Sequence, residues 1–457
     1  MPLSASHVYS DTVLRANRKM SDAPKAQRSP TTWVSSLYFA EGLPYMLIRY
    51  LSSVYLTDIG VKESYLGFLN FLGIPWNAKF LWAPAIDLFG TKRGWLLRIE
   101  AVLVVGTLAL ALLAMLGPTA LPPGAIDLAG VEGAWALRGF LGVLLALAFI
   151  AATHDVAIDG YYMEVISDPT EQAAYTGLRV MTYRFAVIFA KSILVAAAGV
   201  FAWSGAFLCG AATLALLLVF HSFYLPRVES TPEAGRSSAA LLKEYGLAFS
   251  SWLRQDRVGV ALLFIVTYKL GDEVLFSMNT PFLMRELGVS KVQLSWLAGI
   301  LGSTASIAGS LVSAWAIRRF GLRRAVWPLT LAMNLNLWAY VWLADAHPDP
   351  GTTVGLGIIA AVHAYEQFAA GLGNAVLVVY IMRTCMPRFK AAHYAIASAI
   401  SSVGSSLFGG FGGVIVEATS YLHLFVLAFV AAVPSMVCLL FLRIPDEGHP
   451  AATQARR

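Results

Sequence analysis

Twelve charged side chains sit inside strongly apolar stretches of this sequence, and its chemistry has to be sought among them. The anions are Glu41, Asp155, Asp159, Asp272, Glu273 and Glu366; the cations are Arg49, Lys79, Arg179, Arg184, Lys191 and Lys269. At the centre of a helix in hydrocarbon, each costs roughly 2.5–3.5 kcal/mol. Together they would cost on the order of 35 kcal/mol, against a usual folding stability of about 5–15 kcal/mol. They must therefore pair with one another or line a wet cavity. A carboxylate in such a cavity can take up and release a proton near working pH. An Arg there can hold a carboxylate or phosphate through two parallel hydrogen bonds.

Spacing sorts the set. Glu41, Tyr45 and Arg49 recur every four residues and share one helix face, with Pro44 between them to kink the helix. Asp155 and Asp159 share a face of another segment, and Lys269, Asp272 and Glu273 cluster on a third. His363, Glu366, Gln367, Ala370 and Asn374 form a largely polar stripe. The expectation is proton coupling at Glu41, Asp155, Asp159 and Glu366. Solute binding is expected at Arg49, Tyr45, Lys79, Arg184, His363, Gln367 and Asn374. The competing reading is a set of buried ion pairs between helices. Arg179 and Arg184 lie on different faces, which suggests that Arg179 binds Asp168 or Glu171. His154 beside Asp155 allows an acid–base role or a hydrogen-bonded structural one.

These residues are carried by apolar segments. The chain is 58% hydrophobic and 13% charged, where a soluble domain has roughly a quarter charged residues. About 12 stretches reach the roughly 20 residues that a membrane helix needs. They fall near 32–56, 64–88, 95–117, 136–160, 174–202, 204–225, 258–283, 290–317, 325–344, 353–384, 392–417 and 421–443. Two turns recur. Asp58-Ile59-Gly60-Val61 matches Glu286-Leu287-Gly288-Val289, and Phe89-Gly90-Thr91-Lys92-Arg93-Gly94 matches Phe320-Gly321-Leu322-Arg323-Arg324-Ala325. Two parallel six-helix halves follow, 31–225 and 258–443, joined by a polar linker at 226–257 whose stretch 240–249 can form a surface helix. A site between the halves is the usual consequence of such a repeat. Residues 1–30 read as a disordered tail and 444–457 as a second tail. About 23 basic residues fall on one side and about 4 on the other, which places both termini and the linker in the cytoplasm.

The expected fold is thus an all-α membrane protein with the major facilitator fold, 12 transmembrane helices in two six-helix halves. Its first, fourth, seventh and tenth helices would line the path. The turn at Asp87, Gly90, Lys92 and Arg93 resembles the cytoplasmic gate latch of that superfamily, which implies a gating role for these four residues.

Three segments resemble the AmpG-type muropeptide permeases and the related acetyl-coenzyme A transporters. They are Lys79-Phe80-Leu81-Trp82-Ala83-Pro84-Ala85-Ile86-Asp87 with the basic turn after it, Thr153-His154-Asp155-Val156-Ala157-Ile158-Asp159-Gly160, and Glu366-Gln367-Phe368-Ala369-Ala370-Gly371-Leu372-Gly373-Asn374-Ala375. The chain departs from the family at His154, where Gln is frequent, and at 160–164. The resemblance implies import of cell-wall fragments or movement of acyl-coenzyme A, commonly driven by protons, across a bacterial inner membrane.

The partners expected are therefore a small anionic, amphipathic solute, protons and the lipid bilayer, with the chain acting as a monomer. A nucleic-acid partner would need a basic patch on a soluble surface, and none is evident. Neither a cofactor nor a metal is expected, since Cys209, Cys385 and Cys438 have no ligand spacing. The alternatives are a membrane-embedded acyl-transfer enzyme and a non-transporting sensor. The first would need a motif-positioned nucleophile, and His154-Asp155 is the sole adjacent acid–base pair. Orientation is open to direct test: a cysteine placed at position 240 should resist an impermeant thiol reagent in intact cells. Strong labelling from outside would reverse the topology.

Overall fold

A long apolar segment in lipid satisfies its backbone by forming a helix. The computed structural model describes residues 29–83, 86, 90–118, 120–128, 135–227, 246–247, 249–255, 257–386, 390–442 and 444. Among them, 12 helical traverses follow one another: α1 (30–58), α2 (63–81), α3 (Lys92–Leu116), α4 (Trp135–Val165), α5 (169–200), α6 (203–224), α7 (258–286), α8 (291–320), α9 (322–346), α10 (Thr353–Thr384), α11 (390–418) and α12 (Tyr421–Cys438). The described residues contain no strand beyond a single bridge between Val61 and Ile126. Six helices among them are long and apolar enough to cross a membrane outright. The 55-residue one, Thr170–Tyr224, turns back at Phe201 and Ala202 (φ 59°), so it supplies both α5 and α6. The other traverses carry more polar residues or breaks, and they include α1, α7 and α10.

The two halves are built alike. The recurring turns hold glycine in the left-handed region, at Gly60 (φ 93°) and Gly288 (φ 75°), and again at Gly90 (φ 80°) and Gly321 (φ 79°). Any other residue would be strained there. Helices α1 and α7 each contain a proline followed by a π-turn: Pro44 before Leu47–Leu51, and Pro281 before Phe282–Glu286. A π-turn opens the backbone ladder locally and re-aims the side chains beyond it.

Packing is unequal at the two ends of the bundle. We call the end where α1 starts and α12 finishes the terminal end, and the opposite one the loop end. One hydrophobic core runs through the first half and continues across the seam into the loop-end parts of α7, α8, α9 and α12. The terminal-end parts of α7, α9 and α10 form a separate core around Phe264, Tyr268, Val326 and Tyr380. The halves are therefore fused at the loop end and divided at the terminal end.

Polar contacts reinforce the loop-end closure. Arg285 of α7 donates to the carbonyl of Thr57 (2.6 and 3.0 Å), to that of Leu56 (3.4 Å) and to Glu63 (2.7 Å). Lys291 of α8 donates to Asp58 (2.8 Å), which also accepts from the Trp203 indole (2.7 Å). The amide of Ser64 donates to Glu417 (2.7 Å). Glycines let α2 and α11 touch along the same seam: a Cβ on Gly67 would stand 2.6 Å from the Gly410 carbonyl, and one on Gly413 would overlap the Glu63 carbonyl. Arg285 is nearly enclosed, and a charge-assisted hydrogen bond contributes about 1.5–3 kcal/mol. Arg285→Gln should therefore shift the population toward the loop-end-open state by about tenfold or more, since about 1.4 kcal/mol is one decade. Spin-label distances between the 117–128 and 347–352 loops read this directly. An unchanged distance distribution would mean that the latch does not hold the seam.

Candidate functional site

Between the halves lies a small cavity of about 30 Å³. Its wall in the first half includes Arg49 of α1, Asn70 of α2 and Lys191 of α5; in the second half it includes Asn279 of α7 with His363 and Gln367 of α10. Arg49 sits in the π-turn after Pro44 and donates to the carbonyl of Asn70 (2.9 Å) and to its side-chain oxygen (3.0 Å). Lys191 sits in another π-turn, Phe189–Leu194, with its ammonium 4.9 Å from the Tyr50 ring centroid. Neither cation is ion-paired among the described residues. The cavity is thus cationic on one wall.

The facing wall is a hydrogen-bonded relay. Asn279 Nδ2 donates to the Tyr340 hydroxyl (3.1 Å), which lies 2.9 Å from His363 Nδ1. This contact occupies Nδ1 and leaves Nε2 for a further partner. Nε2 is buried without a partner and stands against Gly302. Glu366 is buried beside it, accepting from Gln367 Nε2 (2.9 Å) and lying 3.8 Å from His363 Nδ1. The Lys191 charge acts on Glu366 across the seam.

Lys79, Asp155, Asp159, Arg179 and Glu41 fall into a separate charged group within the first half. Lys79 is ion-paired with Asp155. Asp159 accepts from Arg179 (2.7 Å) and from the Tyr38 hydroxyl (2.8 Å), and Arg179 is stacked between the rings of Tyr38 (4.3 Å) and Tyr162 (4.5 Å). Arg179 therefore binds neither Asp168 nor Glu171; Asp168 instead caps α5 by accepting from the Thr170 amide (2.9 Å). Glu41 stands amid the charges of Lys79, Asp159 and Arg179, with Oε2 unpartnered. Tyr45 packs edge-on against Trp76, 5.0 Å between centroids. Arg184 is half-buried one π-turn before Lys191 and acts on it through charge. Asn374 is half-buried and does not line the cavity.

At the basic turn, Asp87 lies outside the described residues. Gly90 supplies the left-handed bend, and Thr91 caps α3 by accepting from the Gly94 amide (3.1 Å). Arg93 donates to the Ser222 carbonyl (2.7 Å), and Lys92 lies 4.0 Å from Glu164. Both contacts stay within the first half. The sequence reading counted Lys191 among the buried cations without giving it a place in the path, although it lies seven residues from Arg184 on one helix face. Asn70, Asn279 and Tyr340 offered no signal, because uncharged polar residues are cheap enough in a helix to pass unnoticed.

The family model of the Major Facilitator Superfamily matches residues 261–457. The anhydromuropeptide permease of Escherichia coli (strain K12) is 27% identical over 416 residues, covering 89% of this chain and 78% of that protein. The second half of the chain thus matches the superfamily's model, and most of the chain aligns with a permease. Solved structures agree on the fold. A POT family transporter in complex with 5-aminolevulinic acid superposes with a TM-score of 0.68 at 13% identity, covering 91% of this chain and 97% of that one. The nucleoside transporter NupG gives 0.66 at 16%, covering 90% and 98%. The protein is a membrane-spanning facilitator-type transporter that handles a small-molecule solute, and not an enzyme.

The Lys79–Asp155 pair makes a specific expectation. Breaking a buried pair leaves one charge uncompensated, whereas removing both is far cheaper. Asp155→Asn and Lys79→Met should each lower thermal stability and uptake, and the double variant should recover most of both. Failure of the double variant to recover would assign Asp155 a role other than neutralising Lys79.

Proposed function

We propose that this transporter moves an anionic organic solute, muropeptide-like or acyl-coenzyme A-like, by alternating access driven by protons. The observation that carries the reading is the cavity wall: Arg49 and Lys191 both line it, and neither is in an ion pair among the described residues. A buried cation without a partner is expensive, so a solute that brings carboxylate or phosphate gains more there than in water. Arg49 is held in place by Asn70, and its remaining N–H groups are available to an anion. The likeness to a protein named anhydromuropeptide permease supports the solute class.

In this reading the terminal end faces the cytoplasm of a bacterium, with both termini and the linker 226–257 on that side, and the chain works as a monomer in the inner membrane. The closed loop end then makes this an inward-facing arrangement, with the halves 31–225 and 258–443 rocking about the seam. Glu366 is the first candidate for the coupling proton, because its carboxylate is enclosed between Gln367, His363 and the Lys191 charge. Glu41 is the second, with one oxygen unpartnered. Asp155 and Asp159 each hold a cation instead, and for them the ion-pair role is the better supported. Asp87, Gly90, Lys92 and Arg93 form the inner gate in this scheme.

Proteoliposome uptake tests both parts of the proposal. Arg49→Lys keeps the charge and loses the fork, so it should raise the half-saturation concentration about tenfold, the loss of roughly one charge-assisted hydrogen bond. A neutral solute carried as well as any anion, with Arg49→Lys silent, would remove the anion site. Glu366→Gln should abolish accumulation up a pH gradient and spare solute-for-solute exchange. Accumulation at the wild-type level would remove Glu366 from coupling.

A further inference from the structure

A second cavity, of about 280 Å³, lies on the outside of the first half and takes no part in the scheme above. It is lined by Trp95, Arg98, Ile99 and Val102 of α3 and by Ile150 and Thr153 of α4. On α3 these residues fall at i, i+3, i+4 and i+7, one face of the helix. The two helices touch on either side of the cavity. A Cβ on Gly160 would stand 3.3 Å from the Lys92 side chain, and one on Gly106 would overlap Leu147. Between these contacts the helices leave a groove that opens outward, beside the exposed side chains of Val102 and Phe149.

The two ends of the groove differ in chemistry. Arg98 is exposed near the start of α3, where its Nε donates to the Gly94 carbonyl (2.9 Å) and its guanidinium carbon lies 5.3 Å from the Trp95 ring centroid. These contacts turn the side chain back toward the terminal end, the level at which headgroups lie. Among the described residues Arg98 makes no other hydrogen bond and no ion pair. Farther in, the Thr153 hydroxyl is already engaged, accepting from Trp82 Nε1 (3.0 Å) and donating to the Phe149 carbonyl (2.7 Å). Ile99, Val102 and Ile150 make the rest of the wall apolar. We propose that this groove binds an anionic phospholipid, with the phosphate on Arg98 and one acyl chain along Ile99, Val102 and Ile150. An arginine that faces the bilayer needs an anion or water, and a phosphate takes two of its N–H groups at once. Basic pockets between membrane helices at headgroup level select acidic headgroups, and indoles such as those of Trp95 and Trp82 favour the same level. The charge nearby complements an anion: Lys92 and Arg93 stand on the adjoining turn, and the Glu164 carboxylate is taken up by Lys92 at 4.0 Å. Trp82 lies at the end of α2, so the lipid would rest where three helices of the first half meet. Neither Arg49 nor Lys191 lines this groove, which keeps it separate from the solute cavity.

The test titrates the delipidated full-length protein in detergent with phosphatidylglycerol and counts bound lipids by native mass spectrometry. The wild type should hold one lipid about tenfold more tightly than Arg98→Gln does, the effect of one lost charge-assisted hydrogen bond. Arg318→Gln, at an exposed basic position elsewhere on the terminal end, should bind as the wild type does. Val102→Trp keeps the charge and fills the groove, so it should also lose the lipid. It separates a built site from a bare cation, and it serves where Arg98→Gln fails to fold. The proposal is overturned if either Arg98→Gln or Val102→Trp holds the lipid at wild-type affinity, or if Arg318→Gln loses it equally. Displacement of the lipid by glycerol 3-phosphate as readily as by phosphatidylglycerol would likewise overturn it, since the site would then be one for a soluble phosphate.

Discussion

The cost of an unpaired charge in a low-dielectric interior governs this molecule. Several of the charged groups within its helices are neutralised by a neighbour on another helix. Lys79 has Asp155, Arg179 has Asp159, and Glu100 has His221. Each pair joins separate helices of the first half, so the same contacts that hide charge also fasten that half into one unit. Arg49 and Lys191 depart from the pattern, and they do so on the wall of the cavity.

A rocking mechanism also needs a seam that can close without large side chains in the way. Here the loop-end seam is closed by backbone on backbone. Gly67 meets Gly410, Gly413 meets Glu63, and on the α5–α8 side Gly299 meets Ser192. Small residues let helices approach closely without fixing one register. Around these smooth contacts sit a few directional ones, Arg285 with Glu63 and Lys291 with Asp58. They switch as discrete bonds, which is how a packed seam comes to have two positions rather than a continuum.

Much of this was legible in the sequence. The 12 apolar stretches and the 12 traverses agree to within a few residues at most ends, because lipid leaves the backbone little choice but the helix. The recurring Gly60 and Gly288 turns were visible as a repeat, and both adopt positive φ because the chain must reverse within a few residues. Charge pairing was less legible. Helical spacing says which face a residue occupies, but not which helix is opposite. Arg179 was read toward its near neighbours in sequence, yet it reaches Asp159, held by two tyrosine rings that no local pattern announces. His154 was read with its neighbour Asp155, yet adjacent residues on a helix point about 100° apart, so the two face different environments. Glu100 passed unremarked because it lies near the start of its helix, where charge looks inexpensive.

The two histidine arrangements suggest a division of labour between the halves. In the first half, His221 spends both ring nitrogens on fixed partners, Glu100 and Ser36. In the second half, His363 spends Nδ1 on Tyr340 and leaves Nε2 buried and unpartnered on the cavity wall. A buried polar atom without a partner costs about 1–3 kcal/mol, which is recovered only when something arrives to bond with it. Such a group favours whichever state or ligand completes it. A first half bearing Arg49 and Lys191 on its wall, facing a second half whose polar wall is one hydrogen bond short, is an arrangement that suits an anionic solute.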